Sequence, residues 1–179
     1  PAEVVPYNIS YKYFSILIIV FSVLITPFWS SFTEAYEKKD FLWITKSIKS
    51  LQKIWLLVPI ISLIMYLISN WFFKIWVGND IFVPASISIG MVIYVSINTF
   101  GSIYSYFLNG IGVILLQLII SIIIVFVNIP LSIFLSKNVF NGPEGVIFAT
   151  SICMFFPLFL WFLQVKKILN FSAKGIWIK

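Results

Sequence analysis

Histidine and arginine are both absent from this chain, cysteine occurs once, and only six residues are acidic. Without histidine no Ser–His–Asp arrangement can be assembled, and imidazole ligation of a metal is excluded. The single thiol, Cys153, lies inside an apolar run with no second thiol to pair with, which excludes an internal disulfide and a thiolate metal site. The acids are scattered, so no carboxylate cluster replaces the missing ligands. No cofactor is expected, and no enzyme activity. Charge of either sign is scarce, at 10% of residues against ~25% in typical globular domains.

Apolar sequence fills the space that charge has left. The chain is 61% hydrophobic and 19% aromatic, with a mean hydropathy of +1.06, which is the composition of an integral membrane protein. The net charge of +6 does not point to nucleic acid, because the lysines sit at the ends of the apolar runs and act as topology signals.

Five apolar spans account for most of the chain, at residues 13–33, 54–73, 83–108, 113–135 and 145–165. The first has 21 uncharged residues, and at ~1.5 Å per residue it matches a bilayer core of about 30 Å. From Ile81 to Ser136 there are 56 residues without a charge. As one helix this stretch would be ~84 Å long, so it must fold back on itself. The turn is set at Asn109-Gly110-Ile111-Gly112. Residues 41–53 carry Phe41, Ile44, Ile48 and Leu51 on one face and Lys46, Lys49 and Lys53 on the other, as an interfacial amphipathic helix does. The fold class is all-α: one polytopic unit over residues 1–179, a bundle of five transmembrane helices.

The spans are not uniformly apolar. Asn8, Tyr11, Ser15, Ser22, Thr26, Trp29 and Thr33 are spaced by three, four or seven and fall on one face of the first helix. On the third span Asn98, Ser102, Ser105 and Asn109 repeat the pattern, and on the fourth Gln117, Ser121, Asn128 and Ser132 do so. The stripe shrinks to Ser62, Tyr66 and Ser69 on the second span, and to Thr150 and Gln164 on the fifth. Spans one, three and four therefore read as the lining of a polar path, and spans two and five as walls facing lipid. Two readings stay open for these residues. Hydroxyls often bond back to their own helix carbonyls, and amides often serve helix–helix contacts; alternatively, the stripes line a substrate route. Each span also carries one proline, of which Pro27, Pro59, Pro130 and Pro157 are candidate hinges and Pro84 sits near a span start. No acid or lysine lies within the apolar core of any span, so no proton or cation relay is visible. A hydroxyl- and amide-lined path suits a neutral, hydroxyl-rich substrate such as a glycan.

The segment PAEVVPYNISYKYFSILIIVFSVLITPFWSSFTEAY, the lysine-rich stretch after it and LQKIWLLVP resemble the C-terminal half of the Wzx-type oligosaccharide flippases. These belong to the multidrug/oligosaccharidyl-lipid/polysaccharide exporter superfamily. ISNWFFKIWVGNDI, SYFLNGIG and GPEGVIFATSICMFF extend the likeness to essentially all 179 residues, with PFWSSFTEAY and FLNGIG its most specific pieces. The resemblance implies a twelve-helix protein of two six-helix lobes in the bacterial inner membrane. Such a protein moves undecaprenyl-diphosphate-linked glycan units to the outer leaflet for O-antigen or other polysaccharide synthesis. These five spans would be helices eight to twelve, with the N-terminal half of the same protein as partner beside the lipid-linked oligosaccharide and membrane lipids. The opening at Pro1, without a basic n-region, fits a fragment with about seven further spans upstream. Cationic cavity residues of such flippases are thought to meet the diphosphate; with no arginine and no mid-membrane lysine here, that role is not carried over. Two alternatives remain: a drug/cation antiporter of the same superfamily, which a buried acid in a span would favour, and a membrane-embedded polysaccharide polymerase or glycosyltransferase. The latter would show a sizeable external loop with paired Arg, Asp or His.

Orientation follows from the lysines. The 34–53 loop, the 109–112 turn and the C-terminal tail share a side and hold nine lysines, against Lys12, Lys74 and Lys137 on the other. The positive-inside bias places the nine-lysine side and the C-terminus in the cytoplasm, and Pro1 outside. In a Cys153→Ser background, membrane-impermeant thiol reagent added outside should label a cysteine at Asn141 but not at Ser47 or Ser172. Strong labelling at Ser47 would reverse the assigned sidedness.

Overall fold

The computed structural model describes residues 4–78 and 81–179, so the N-terminal position of Pro1 lies outside the described residues. Seven α-helices run in order: α1 (Val4–Ile25), α2 (Phe28–Glu37), α3 (Phe41–Trp55), α4 (Leu57–Val77), α5 (Ala85–Gly110), α6 (Leu115–Asn138) and α7 (Glu144–Leu169). A short 3₁₀ turn at Gly175–Ile178 follows. No strand occurs among the described residues. Helices α1 and α2 together make one candidate span, α3 and α4 another, and α5, α6 and α7 one each, giving five helical segments long and apolar enough to cross a membrane. The chain is an all-α, multi-pass membrane protein.

The first span starts nine residues earlier than position 13, because α1 already begins at Val4. Lys12 bounds the uncharged run but not the helix, and Pro6 sits in the first turn, where a missing N–H costs nothing. At its other end the span is two helices, not one. Pro27 has no N–H for the Val23 carbonyl, and its ring crowds that oxygen. The chain answers with a tight turn: the Thr26 N–H still donates to the Ser22 carbonyl at 2.9 Å, while the Trp29 N–H donates to the Thr26 carbonyl at 3.1 Å.

A second break falls at Leu56, between α3 and α4. Pro59 stands four residues beyond Trp55, so helical continuity fails at that carbonyl for the same reason. Pro59 thus lies in the first turn of α4 and not deep in a span. The Trp55 indole N–H donates to the Ser96 carbonyl and the Thr99 hydroxyl, both at 3.1 Å, and ties the joint to α5. Helix α3 opens on an Asp40 cap, whose carboxylate accepts from the Trp43 N–H at 2.9 Å.

Helix α5 is the hub. It packs against α1, α2, α3, α4 and α7, while α6 lies outside and leans on α7. Three glycines let neighbours come close to α5: Gly90 meets Ile147, Gly101 the ring of Trp161, and Gly110 the backbone carbonyl of Trp29. Phe14, Phe32, Tyr104 and Phe107 fill the space around it. The fifth span is a lipid-facing wall on one side only: α7 is wedged between α5 and α6 but turns Phe155, Phe156 and Phe159 outward. The most lipid-exposed helices are α4 and α6, which turn Leu67, Trp71, Phe126 and Ile129 outward. The C-terminal tail folds back beneath the bundle: Gln164 donates to the Trp177 carbonyl at 3.2 Å, and the Leu115 N–H donates to the Lys179 carbonyl at 2.9 Å.

Ser47 is only 9% exposed, so the exposed Ser50 is the better thiol position on α3. Helices α6 and α7 come close at Gly145, where an added Cβ would overlap the backbone of Leu135 and Ser136. Gly145→Val should therefore lower stability by about 1–3 kcal/mol, read as a drop in unfolding midpoint in detergent micelles. An unchanged midpoint would mean that α6 moves freely on α7.

Candidate functional site

The polar stripes separate into four places once the helices are packed. The first is a hollow of about 300 Å³ between α5, α6 and α7. Asn98, Ser102 and Ser105 of α5, Ser121 of α6 and Trp161 of α7 surround it together with Tyr106, and no charged side chain lines it. Ser102 donates to the Thr99 carbonyl at 2.7 Å, leaving its oxygen lone pairs available as acceptors. The Trp161 indole N–H is buried and has no protein partner. A buried donor of this kind is costly unless something outside the chain accepts from it. Trp161 fits because Gly101 faces its ring, where a Cβ would come within 3.2 Å.

The second place is the α5–α6 turn. Gln117 donates to the Asn109 side-chain oxygen at 3.2 Å, Ser105 donates to the Gln117 side-chain oxygen at 3.0 Å, and Asn109 donates to Ser105 at 3.4 Å. These three close a ring of hydrogen bonds. Beside it Thr33 donates to the Gly110 carbonyl at 2.6 Å, which ties α2 to the same turn. The third place joins α6 to α7: Asn128 donates to Thr150 at 3.3 Å, and Ser132 donates to Asn128 at 3.2 Å. Asn109, Gln117 and Asn128 thus serve helix contacts, with Ser105 shared between the turn and the hollow.

The fourth place is the outer face of α1 and α2. Ser22 and Thr26 donate to carbonyls of their own helix, at 2.7 and 2.6 Å, as does Ser15 at 3.0 Å. Trp29 is 46% exposed and meets Tyr106 edge-on, with ring centres 5.8 Å apart. Through Tyr106 this face reaches the hollow. Asn8 and Tyr11 lie far from it near the start of α1, where the Tyr11 ring stands 6.3 Å from both Tyr7 and Tyr94.

The prolines divide likewise. Pro27 interrupts the first span, whereas Pro130 and Pro157 sit inside helices that continue through them, Pro157 beside the hollow. Sequence reasoning passed over two residues. Trp161 shows no stripe, and four residues from the end of the fifth span it has the position of an ordinary interfacial aromatic, so the sequence held no signal for it. Glu144, in the first turn of α7, is 9% exposed and accepts a hydrogen bond from Ser86 at 3.0 Å. The helix N-terminus favours its charge, and its signal was an acid directly following a proline at a helix start. It belongs to the end of the bundle, remote from the hollow. Among the described residues no group of acids, histidines or cysteines is placed to hold a metal ion.

No protein-family model, curated protein or solved structure matches this chain. The hydrogen-bonded ring at the turn is open to direct measurement. The coupling between Gln117→Leu and Asn109→Leu in a double-mutant cycle, followed by unfolding in mixed micelles, should fall near 0.6 kcal/mol and below about 1.7 kcal/mol. A coupling of zero would dissolve the ring into independent contacts.

Proposed function

We propose that this chain is part of a flippase for lipid-linked oligosaccharides, which carries undecaprenyl-diphosphate-linked glycan units across a bacterial inner membrane for polysaccharide synthesis. The observation that carries this reading is the uncharged hollow between α5, α6 and α7, lined by an amide, hydroxyls and two aromatic rings with a buried indole donor left unpaired. Sugars present many hydroxyls and one apolar ring face, so amides and hydroxyls bind them by hydrogen bonds and tryptophan by stacking. The absence of any charged group from the lining speaks for a neutral moiety there rather than a cation. The sequence likeness to Wzx-type flippases supports the same substrate class. The nine-lysine end of the bundle then faces the cytoplasm. In this reading the bundle rocks against a second lobe, with the glycan between their polar faces.

The test uses cells lacking their own flippase, complemented with the gene that encodes this chain. Trp29→Leu and Asn98→Leu should each lower surface glycan roughly ten-fold, equivalent to about 1.4 kcal/mol. Val20→Leu, a conservative change away from the polar face, should leave it unchanged, with protein level matched by immunoblot. Normal transport by both polar-face variants at equal expression would overturn the proposal.

A further inference from the structure

A second concave feature lies on the opposite side of α5 from α6. Between the end of α3, α5 and α7 opens a groove of about 640 Å³, walled by Trp55, Phe100, Phe155, Phe159 and Phe162, with Lys49 and Lys53 among its lining. A smaller hollow of about 270 Å³ shares Lys49, Gln52, Tyr104 and Phe162 with it and adds Lys166 and Asn170. The two are one trough. Its polar floor is fixed, since the Gln52 amide donates to the Tyr104 hydroxyl at 2.8 Å. No acidic residue lines either part, so three cations gather there uncompensated.

The trough has the dimensions and polarity of half a bilayer. Lys49 and Lys53 belong to the amphipathic helix α3, and Lys166 to the last turn of α7, which sets all three at headgroup depth. From Lys166 to Phe155 is about 16 Å along α7, roughly half of a hydrocarbon core of about 30 Å. A concavity at that depth does not stay empty and does not favour water, because its walls are aromatic and aliphatic.

From these observations we infer that the trough holds one acidic phospholipid of the adjoining leaflet. Its phosphate lies among Lys49, Lys53 and Lys166, and an acyl chain lies along the phenylalanine face of α7. The site selects for anionic over zwitterionic lipid, because the three lysines meet net negative charge only in the former.

Native mass spectrometry of the detergent-purified protein tests it, with phosphatidylglycerol or phosphatidylcholine of identical acyl chains added. One phosphatidylglycerol should be retained in preference to phosphatidylcholine. Lys49→Gln and Lys53→Gln should each reduce that retention by about five-fold, with phosphatidylcholine unaffected. Lys74→Gln and Lys137→Gln, which make the same charge change elsewhere, should leave it intact. Glycerol phosphate and inorganic phosphate should not displace the lipid; displacement by either would make the site one for a free anion. Phosphatidylglycerol with brominated acyl chains should quench less of the total fluorescence once Trp55→Phe is introduced, which locates the chain in the trough. Equal retention of the two lipids, equal loss in the control variants, or no retained lipid because another protein surface fills the groove would each overturn the inference. Failure of glycan transport would leave all these readouts unchanged.

Discussion

Everything in this bundle depends on how closely other helices can approach α5. In a bilayer, hiding an apolar side chain from lipid yields little, so helices associate through close packing and hydrogen bonds. Glycine on α5 supplies the closeness at three levels, facing α7 twice and the start of α2 once. Between these levels, Met91, Val95, Ile103 and Phe107 are almost wholly buried and fix the neighbours in register. Helix α6 lacks this relation to α5. It is held by α7 and by the short α5–α6 turn, and the space left between α5 and α6 is the uncharged hollow.

Polar side chains in this protein are sorted by what their nearest backbone can offer. A serine or threonine finds a carbonyl three or four residues back in its own helix and needs nothing else, as Ser62, Ser69, Ser96 and Ser151 do. An amide reaches further and usually finds another helix, as Gln117, Asn128 and Gln52 do. Ser10, Ser136 and the Gln164 side-chain oxygen are buried without a partner, and beside the two concavities two groups are also left over: the Trp161 indole donor and the lysines of the trough. One lies beside a neutral concavity and the others around a cationic one, on opposite flanks of α5. The two flanks therefore present quite different chemistry to whatever approaches them.

Much of the fold could be read from the sequence, because apolar run length and charge position are direct consequences of the bilayer. The five spans, the amphipathic α3 and the reversal at Asn109–Gly112 were all legible in this way. The helix starting at Val4 was not. Lys12 limits how long an uncharged run can be, but it does not stop a helix from continuing into the headgroup region. The identity of the hub was also hidden, since the buried α5 is less hydrophobic than the exposed α6, the reverse of the rule for soluble proteins. Of the polar residues, periodicity found those that share a face but could not tell a hydroxyl satisfied by its own helix, such as Thr26, from one like Ser121 beside the hollow. Trp161 and Glu144 carried no periodic signal, and their positions follow only from the packing of α7.

The interruption at Pro27 has a geometric consequence. On one side α1 packs along α5, with the Tyr11 ring beside Tyr94, and on the other α2 is seated on the same helix through Phe32 against Phe107 and the Thr33 bond to Gly110. A joint whose two arms are clamped to one rod has no angle of its own. It takes its angle from the curvature of the rod, so a bend in α5 between its middle and Gly110 is written into the first span as a rotation about Thr26 and Pro27, beside the exposed ring of Trp29.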